Sequence, residues 1–342
     1  MDNFTYYRPK SAELAVALLD EKWGTAELLG GGTDLLSLQK QYIARPRKVV
    51  SLATVPGLDK IEQSRGWPMT IKIGAGVKLA TLAASQALVG GAAALAQAAD
   101  EIAGPQIRNM GTLGGSLCQR NRCWYFRDEP TVCLLKGGDK CFALDGENRY
   151  HAIFTKGHRC VISSPTTIGT ALIALGATAT VLGPKGKRTI KMAEFFKAPT
   201  GPGDREHVLA ANEMLLGVEF SLASDKARSA SYEVRQKLSS DWPLVQASVA
   251  FDLEGGKATN VRVALGHVAP TPLLSEAAAK AIEGKEITEE TAAAAGEAAT
   301  QGAKPLSQNA YKVKLLAVAV KRALLLAAGG KKYWEVALPE PR

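Results

Sequence analysis

Three consecutive glycines, Gly30-Gly31-Gly32, follow the apolar run Ala26 to Leu29 and precede helical spacing from Leu35 to Lys40. No other feature constrains the fold as tightly. A strand that ends on glycines and turns straight into a helix gathers backbone amides at the helix start, where they can cradle a phosphate. Leu29, Gly30, Gly31, Gly32, Thr33, Asp34 and Leu35 are the first candidate binding residues, with Thr33 adding a hydroxyl donor. The segment lacks both the Gly-Lys-Ser/Thr of a Walker loop and the spacing of a G-x-G-x-x-G fingerprint. A tight strand-to-helix turn with no ligand is the other reading of these residues taken alone.

The surroundings suit a small α/β lobe. Ser11 reads as an N-cap, with Glu13 in the first turn and Leu14, Ala17 and Leu18 on one face, so the spacing predicts a helix over 12–21. Lys48 to Leu52 reads as a second strand, and the lobe spans residues 1–60. Beyond it, Thr70 to Gly76 alternates like a strand, and the Ala-rich stretches 79–87 and 91–103 read as helices. Ala177 to Leu182 and Lys187 to Ile190 flank the turn Gly183-Pro184-Lys185-Gly186 as a hairpin. Leu216 to Leu222 is a further strand, and the composition shifts near Ser224 to Ala230. Val245 to Leu253 and Asn260 to Leu265 form a second hairpin. Helices are expected over 273–283, 288–300 and 308–328, the last capped by Ser307. Boundaries near 60 and 225 divide the chain into 1–60, 61–225 and 226–342.

Composition excludes several classes. The 342 residues are 46% hydrophobic and 22% charged, ordinary for a globular protein with a sizeable core. No apolar run reaches the roughly 18 residues of a membrane span. The opening Met1-Asp2-Asn3-Phe4 lacks a basic segment followed by an apolar one, so a cytoplasmic location is expected. The net charge of +9 does not point to nucleic acid, because Lys and Arg are scattered. The compact basic groups are Lys185, Lys187 and Arg188, and the pair Lys331 and Lys332. A basic surface that docks an acidic partner subunit accounts for the charge equally well.

A second glycine-rich segment runs from Gly104 to Leu117, Gly-Pro-Gln-Ile-Arg-Asn-Met-Gly-Thr-Leu-Gly-Gly-Ser-Leu. Close backbone approach and several side-chain donors suit it to wrapping a dinucleotide. A plain surface loop is its other reading.

All five cysteines, Cys118, Cys123, Cys133, Cys141 and Cys160, fall in one stretch with few periodic features. Clustered thiols in a large cytoplasmic chain suggest metal more than disulfides. The spacing of Cys123, Cys133, Cys141 and Cys160 lacks the close Cys pairs of structural zinc. Four thiolates from a loop can enclose an iron–sulfur cluster without short spacing. Buried free cysteines acting as small hydrophobes are the alternative.

The two glycine segments in this order resemble the FAD-binding subunits of the xanthine dehydrogenase and carbon monoxide dehydrogenase group of molybdenum hydroxylases. The likeness includes the opening Phe4-Thr5-Tyr6-Tyr7-Arg8-Pro9 and the late Asn309-Ala310-Tyr311-Lys312 before a helix containing Lys321-Arg322-Ala323-Leu324. It implies an α+β chain: the two-lobed FAD-binding fold of the vanillyl-alcohol oxidase type, then a C-terminal domain with a small antiparallel sheet and helices. It also implies that residues 29–35 hold the FAD pyrophosphate. Ile107, Asn109, Thr112, Gly114, Gly115, Ser116 and Leu216 would complete the cofactor site. Ser116 stands where the family usually has Asn, Pro165-Thr166-Thr167 where it often has Ser-Asp, and Glu233 where a Lys is common.

The text Arg122-Cys123-Trp124-Tyr125-Phe126-Arg127-Asp128, with Cys133, Cys141, Gly146-Glu147-Asn148-Arg149-Tyr150-His151-Ala152 and Cys160, resembles an insertion found in one branch of that family, that of the aldehyde oxidoreductase flavoproteins. The insertion spans about 118–162 and implies a [4Fe–4S] cluster on Cys123, Cys133, Cys141 and Cys160. Cys118 is left as a packed thiol. Trp124 and Tyr125 would shield the cluster, and His151 and His158 read as loop hydrogen-bonders. The implied function is electron transfer. FAD and the cluster would carry electrons between a small [2Fe–2S] subunit and an external carrier, while a large molybdopterin subunit works on the substrate. No catalytic acid or base is expected on this chain. A stand-alone FAD oxidoreductase and a flavin-less iron–sulfur scaffold are the rival readings.

Overall fold

A computed structural model describes residues 1–237 and 241–331, so Lys332 of the terminal basic pair lies outside the described residues. The strand Ala26–Leu29 and the helix Leu35–Lys40 form where the sequence puts them. Ala26–Leu29 pairs in parallel with Lys48–Ser51, which pairs in parallel on its other side with Thr5–Tyr7. The helix opening at Ser11 is Ala12–Ala17, and the Ser11 hydroxyl accepts from the Leu14 amide at 3.1 Å. It stops well short of residue 21. Lys48 of the adjacent strand donates to the Leu18 carbonyl and the Asp20 carboxylate, which fixes the chain in a turn there. Ala15 and Val16 point into a core with Val50, Val55, Leu58 and Met214.

A second, antiparallel sheet has five strands in the order Ile61–Gln63, Met69–Gly74, Met214–Leu222, Thr178–Gly183 and Gly186–Lys191. Ile71 and Ile73 are buried while Lys72 between them is exposed, the alternation of a sheet covered on one face. The helices Leu79–Ala83 and Ala93–Glu101 supply Leu82, Leu95, Ala98 and Ala99 to the same core.

A third sheet, also antiparallel, runs Leu273–Leu274, Lys257–Gly266, Val245–Glu254 and Ala227–Val234. Glu276–Ile282, Glu289–Ala299 and Tyr311–Ala327 are the helices of this part of the chain, sharing its core through Ala278, Ala295, Leu316 and Ala323. Two elements escape a periodicity reading for one reason. Ala227–Val234 is covered by Ala93–Glu101 and by Tyr311–Ala327, so no polar face alternates along it. The helix Thr167–Ala174 is buried at all eight residues and touches the strands Val245–Glu254 and Lys257–Gly266. A helix buried all round carries no amphipathic stripe. Thr166 caps it, accepting from the Gly169 amide at 3.1 Å. Ser307 does not cap the last helix: Ala310 stands at its N-terminus, and the Ser307 hydroxyl accepts from the Asn148 side chain. Among the described residues, no helix is long and apolar enough to cross a membrane.

Candidate functional site

The glycine loop opens onto a cavity of about 420 Å³, within the range of small-molecule sites. Gly30, Gly31, Gly32, Thr33, Asp34 and Leu35 all line it; Leu29 does not. Gly32 has φ +79, the left-handed region that glycine takes without strain. Gly31 is glycine for space: a Cβ there would stand 1.9 Å from the Met110 carbonyl oxygen. A Cβ on Gly30 would lie 2.7 Å from the Thr112 hydroxyl. The first glycine loop therefore packs against the second glycine segment. Among the described residues the amides of Gly30 to Thr33 donate to no protein acceptor, which leaves a row of donors on the cavity wall.

The second segment is helical rather than a plain loop. It folds as two short helices, Pro105–Met110 and Leu113–Leu117. Its amides are occupied: Leu113 donates to Val77, Gly114 to Ala75, and Gly115 to the Thr112 hydroxyl. Ile107, Thr112, Gly114, Gly115 and Ser116 line the cavity, whereas Asn109 and Leu216 lie off its wall. This segment supplies shape, and the first loop supplies donors. The buried Ser116 hydroxyl has no protein partner.

Arg205 and His207 on the same wall were not singled out in the sequence. Arg205 pairs with Glu27 and stacks over Trp23 at 4.5 Å. His207 packs edge-on to Trp23; burial, then the charges of Arg205 and Arg120, pushes its pKa down to about 3, and its Nδ1 has no partner. Only isolated charges in Asp204-Arg205-Glu206-His207 could have flagged this corner. Thr167, Glu233 and Trp242 also line the cavity. The family positions at 116, 167 and 233 thus share one wall.

Asp34 turns away from a capping role. Its carboxylate meets Arg122 at 2.8 Å and Arg127 at 2.7 Å, and it accepts from the Arg120 amide at 2.9 Å. Those three arginines flank Cys123, so one carboxylate ties the glycine loop to the cysteine segment. Burial lowers the Arg122 pKa to about 10, partly offset by Asp34. Arg122 also lies 4.4 Å over Trp242, and Arg120 forms a buried pair with Glu206.

Cys123, Cys133, Cys141 and Cys160 line one small, mostly apolar cavity together with Tyr125 and Phe142. It is tightly packed, with a free volume of about 10 Å³. Leu38, on the helix after the glycine loop, lines the larger cavity and packs in the same core as Cys133 and Cys160. Cys118 is elsewhere, on the wall of the larger cavity, its thiol pushed up to about 12 by burial. Burial likewise pushes Cys123 up to about 12. Cys141 and Cys160 hydrogen-bond one another, which holds Cys141 low and raises Cys160. Among the described residues, no group of three or more His, Cys, Asp or Glu converges on a single metal-ion position. The thiols surround a shared space instead.

The Asn309-Ala310-Tyr311-Lys312 motif clasps this segment. Asn309 donates to the carbonyls of Asn148, His151 and Ala152. The Tyr311 hydroxyl donates to the Arg149 carbonyl. Buried Lys312 donates to the carbonyls of Tyr150, His151 and His267, and burial lowers its pKa to about 7.

Residues 2–220 match the family model described as FAD binding domain in molybdopterin dehydrogenase, and residues 230–327 match the CO dehydrogenase flavoprotein C-terminal domain. The chain belongs to the FAD-binding subunits of the molybdenum hydroxylases. The aldehyde oxidoreductase FAD-binding subunit of Escherichia coli (strain K12) is 32% identical over 92% of this chain and 95% of its own. The carbon monoxide dehydrogenase medium chain of Hydrogenophaga pseudoflava is 29% identical over 94% and 96%. In a solved structure of carbon monoxide dehydrogenase from that organism, the matching chain has a TM-score of 0.74 at 28% identity, covering 96% of this chain and 98% of that one. These relatives are subunits of oxidoreductases. The mixed helix-and-sheet architecture, with a FAD-binding part and a C-terminal flavoprotein domain, is the one the sequence resemblance implied.

Proposed function

We propose that this chain carries electrons between a small [2Fe–2S] subunit and an external one-electron carrier, with FAD in the larger cavity and a [4Fe–4S] cluster in the cavity of four thiols. A large molybdopterin subunit would perform the substrate chemistry. The observation that carries this reading is the adjacency of the two sites. Asp34 belongs to the glycine loop and grips the arginines around Cys123, and Leu38 packs toward both cavities.

The residues present fit both groups. The larger cavity offers free amides at Gly30 to Thr33, a buried hydroxyl without a partner at Ser116, and a cationic corner at Arg205. The amides would meet the pyrophosphate, and the lobes 1–60 and 61–225 would enclose the cofactor, with Glu233 and Trp242 of the C-terminal part, 226–342, also on the cavity wall. Bound FAD supplies a centre that takes up electrons singly and releases them singly or in pairs. Four soft thiols in an apolar pocket suit iron and sulfide. Burial disfavours the Cys123 thiolate, so metal charge must compensate there and binding must release a proton. Phe142 and Tyr125 give the thiols an apolar wall, and Asp34 links the two sites. The test is flavin and iron content of the purified native complex. One FAD and four irons on this chain, beyond those of the small subunit, is the expected result. Full flavin with no additional iron would overturn the cluster, and iron without flavin would overturn the FAD site.

A further inference from the structure

We infer that His151 is the hydrogen-bond donor that sets the reduction potential of the four-thiol site, through its Nε2–H to Cys123 Sγ. The inference rests on the cluster reading above. His151 Nε2 lies 3.3 Å from Cys123 Sγ, within hydrogen-bonding distance for sulfur. The residue is buried, with 3% of its surface exposed, and its ring sits edge-on to Trp124 at 5.3 Å. Its backbone is fixed on both sides: its amide donates to the Asn148 carbonyl, and its carbonyl accepts from Asn309 and Lys312.

Once Cys123 is a metal-bound thiolate it has no proton to give, so the contact is a hydrogen bond only if Nε2 carries the hydrogen. The Nδ1 atom, which has no partner, is then a lone pair, less costly to bury than an orphaned N–H. An N–H aimed at a cluster thiolate stabilises the reduced site, which carries one more negative charge, over the oxidised one, and so raises its potential. Among the described residues, Cys123 is the one of the four cysteines that has a side-chain N–H within hydrogen-bonding reach. Lys312 anchors the His151 main chain by donating to its carbonyl.

The experiment uses the intact complex with two variants, His151→Leu, which removes the donor, and His151→Gln, whose side-chain amide restores one near the Nε2 position. Iron is counted first. EPR-monitored titration then gives the midpoint potential, and pulsed EPR of the reduced native complex gives the nitrogen coupling. Four irons in all three proteins are expected. The His151→Leu potential should fall by a tenfold change in the reduced-to-oxidised ratio, about 59 mV for one electron, and His151→Gln should recover most of the shift. If His151→Leu fails to assemble, the native signal decides: a weak histidine nitrogen coupling supports the hydrogen bond, and a strong one, showing imidazole bound to iron, overturns it. Unchanged potentials with four irons present also overturn it. Fewer than four irons on the native chain overturns the cluster reading itself, and this inference with it.

Discussion

Gly31 shows why a residue without a side chain is required at a site that binds by backbone. Its missing Cβ makes room for the Met110 carbonyl, so the loop can rest on the second glycine segment while its amides stay unpaired. Gly31→Ala forces the two segments apart. Overpacking of this kind costs about 1–3 kcal/mol, and the flavin-to-protein ratio of the purified variant should fall alongside its melting temperature. Full flavin occupancy with native stability would contradict the packing account. Buried histidines contribute to the acid limb of stability, His207 and His267 most strongly. Burial lowers His207 and His267 to about 3 from an ordinary 6.5. The unfolded chain then binds more protons than the folded one below pH 6.5, so their contribution, complete above 6.5, is lost as pH falls toward 3. Lys312, lowered to about 7 from 10.5, adds a rise in stability between those values. His267 has φ +60, a conformation Asn tolerates. His267→Asn should therefore flatten the acid limb in denaturant titrations between pH 4 and 7; an unchanged limb would rule out this source.

At the scale of elements, the clasp at the start of the helix Tyr311–Ala327 controls the order of the cysteine segment. Asn309→Ala removes the Nδ2 amide whose two N–H groups are shared among three carbonyls, a cost of about 1–3 kcal/mol for each group left unsatisfied. Hydrogen exchange at residues 148–152 should speed up while the strands Val245–Glu254 and Lys257–Gly266 keep their protection. Equal exchange in the variant would show that the clasp is idle. Much of the fold was legible because it lies in short-range pattern. Ala26–Leu29, Leu35–Lys40 and both hairpins announce themselves through alternation, helical spacing and turn glycines. The helix Thr167–Ala174 and the strand Ala227–Val234 were not, because burial on all sides erases the contrast that periodicity needs. The site divides the same way. The glycine loop is visible as text. The Arg205–Glu27 corner, the Asp34 grip on the cysteine segment and the His151–Cys123 contact join residues far apart in the chain, and only the folded packing brings them together.

Over the whole molecule, four thiols that the sequence scatters unevenly come to line one cavity, next to a larger one walled by the two glycine segments. The fifth cysteine, Cys118, lines the larger cavity instead. Asp34 and Leu38 join the two cavities, the carboxylate through the arginines around Cys123 and the leucine through the core it shares with Cys133 and Cys160. The most direct measurement is iron and flavin content of the intact complex carrying Cys133→Ser with Cys160→Ser, compared with Cys118→Ser. The account predicts loss of four irons with flavin retained in the first, and full iron in the second. Iron indifferent to the loss of Cys133 and Cys160, or equally lost with Cys118, would contradict it.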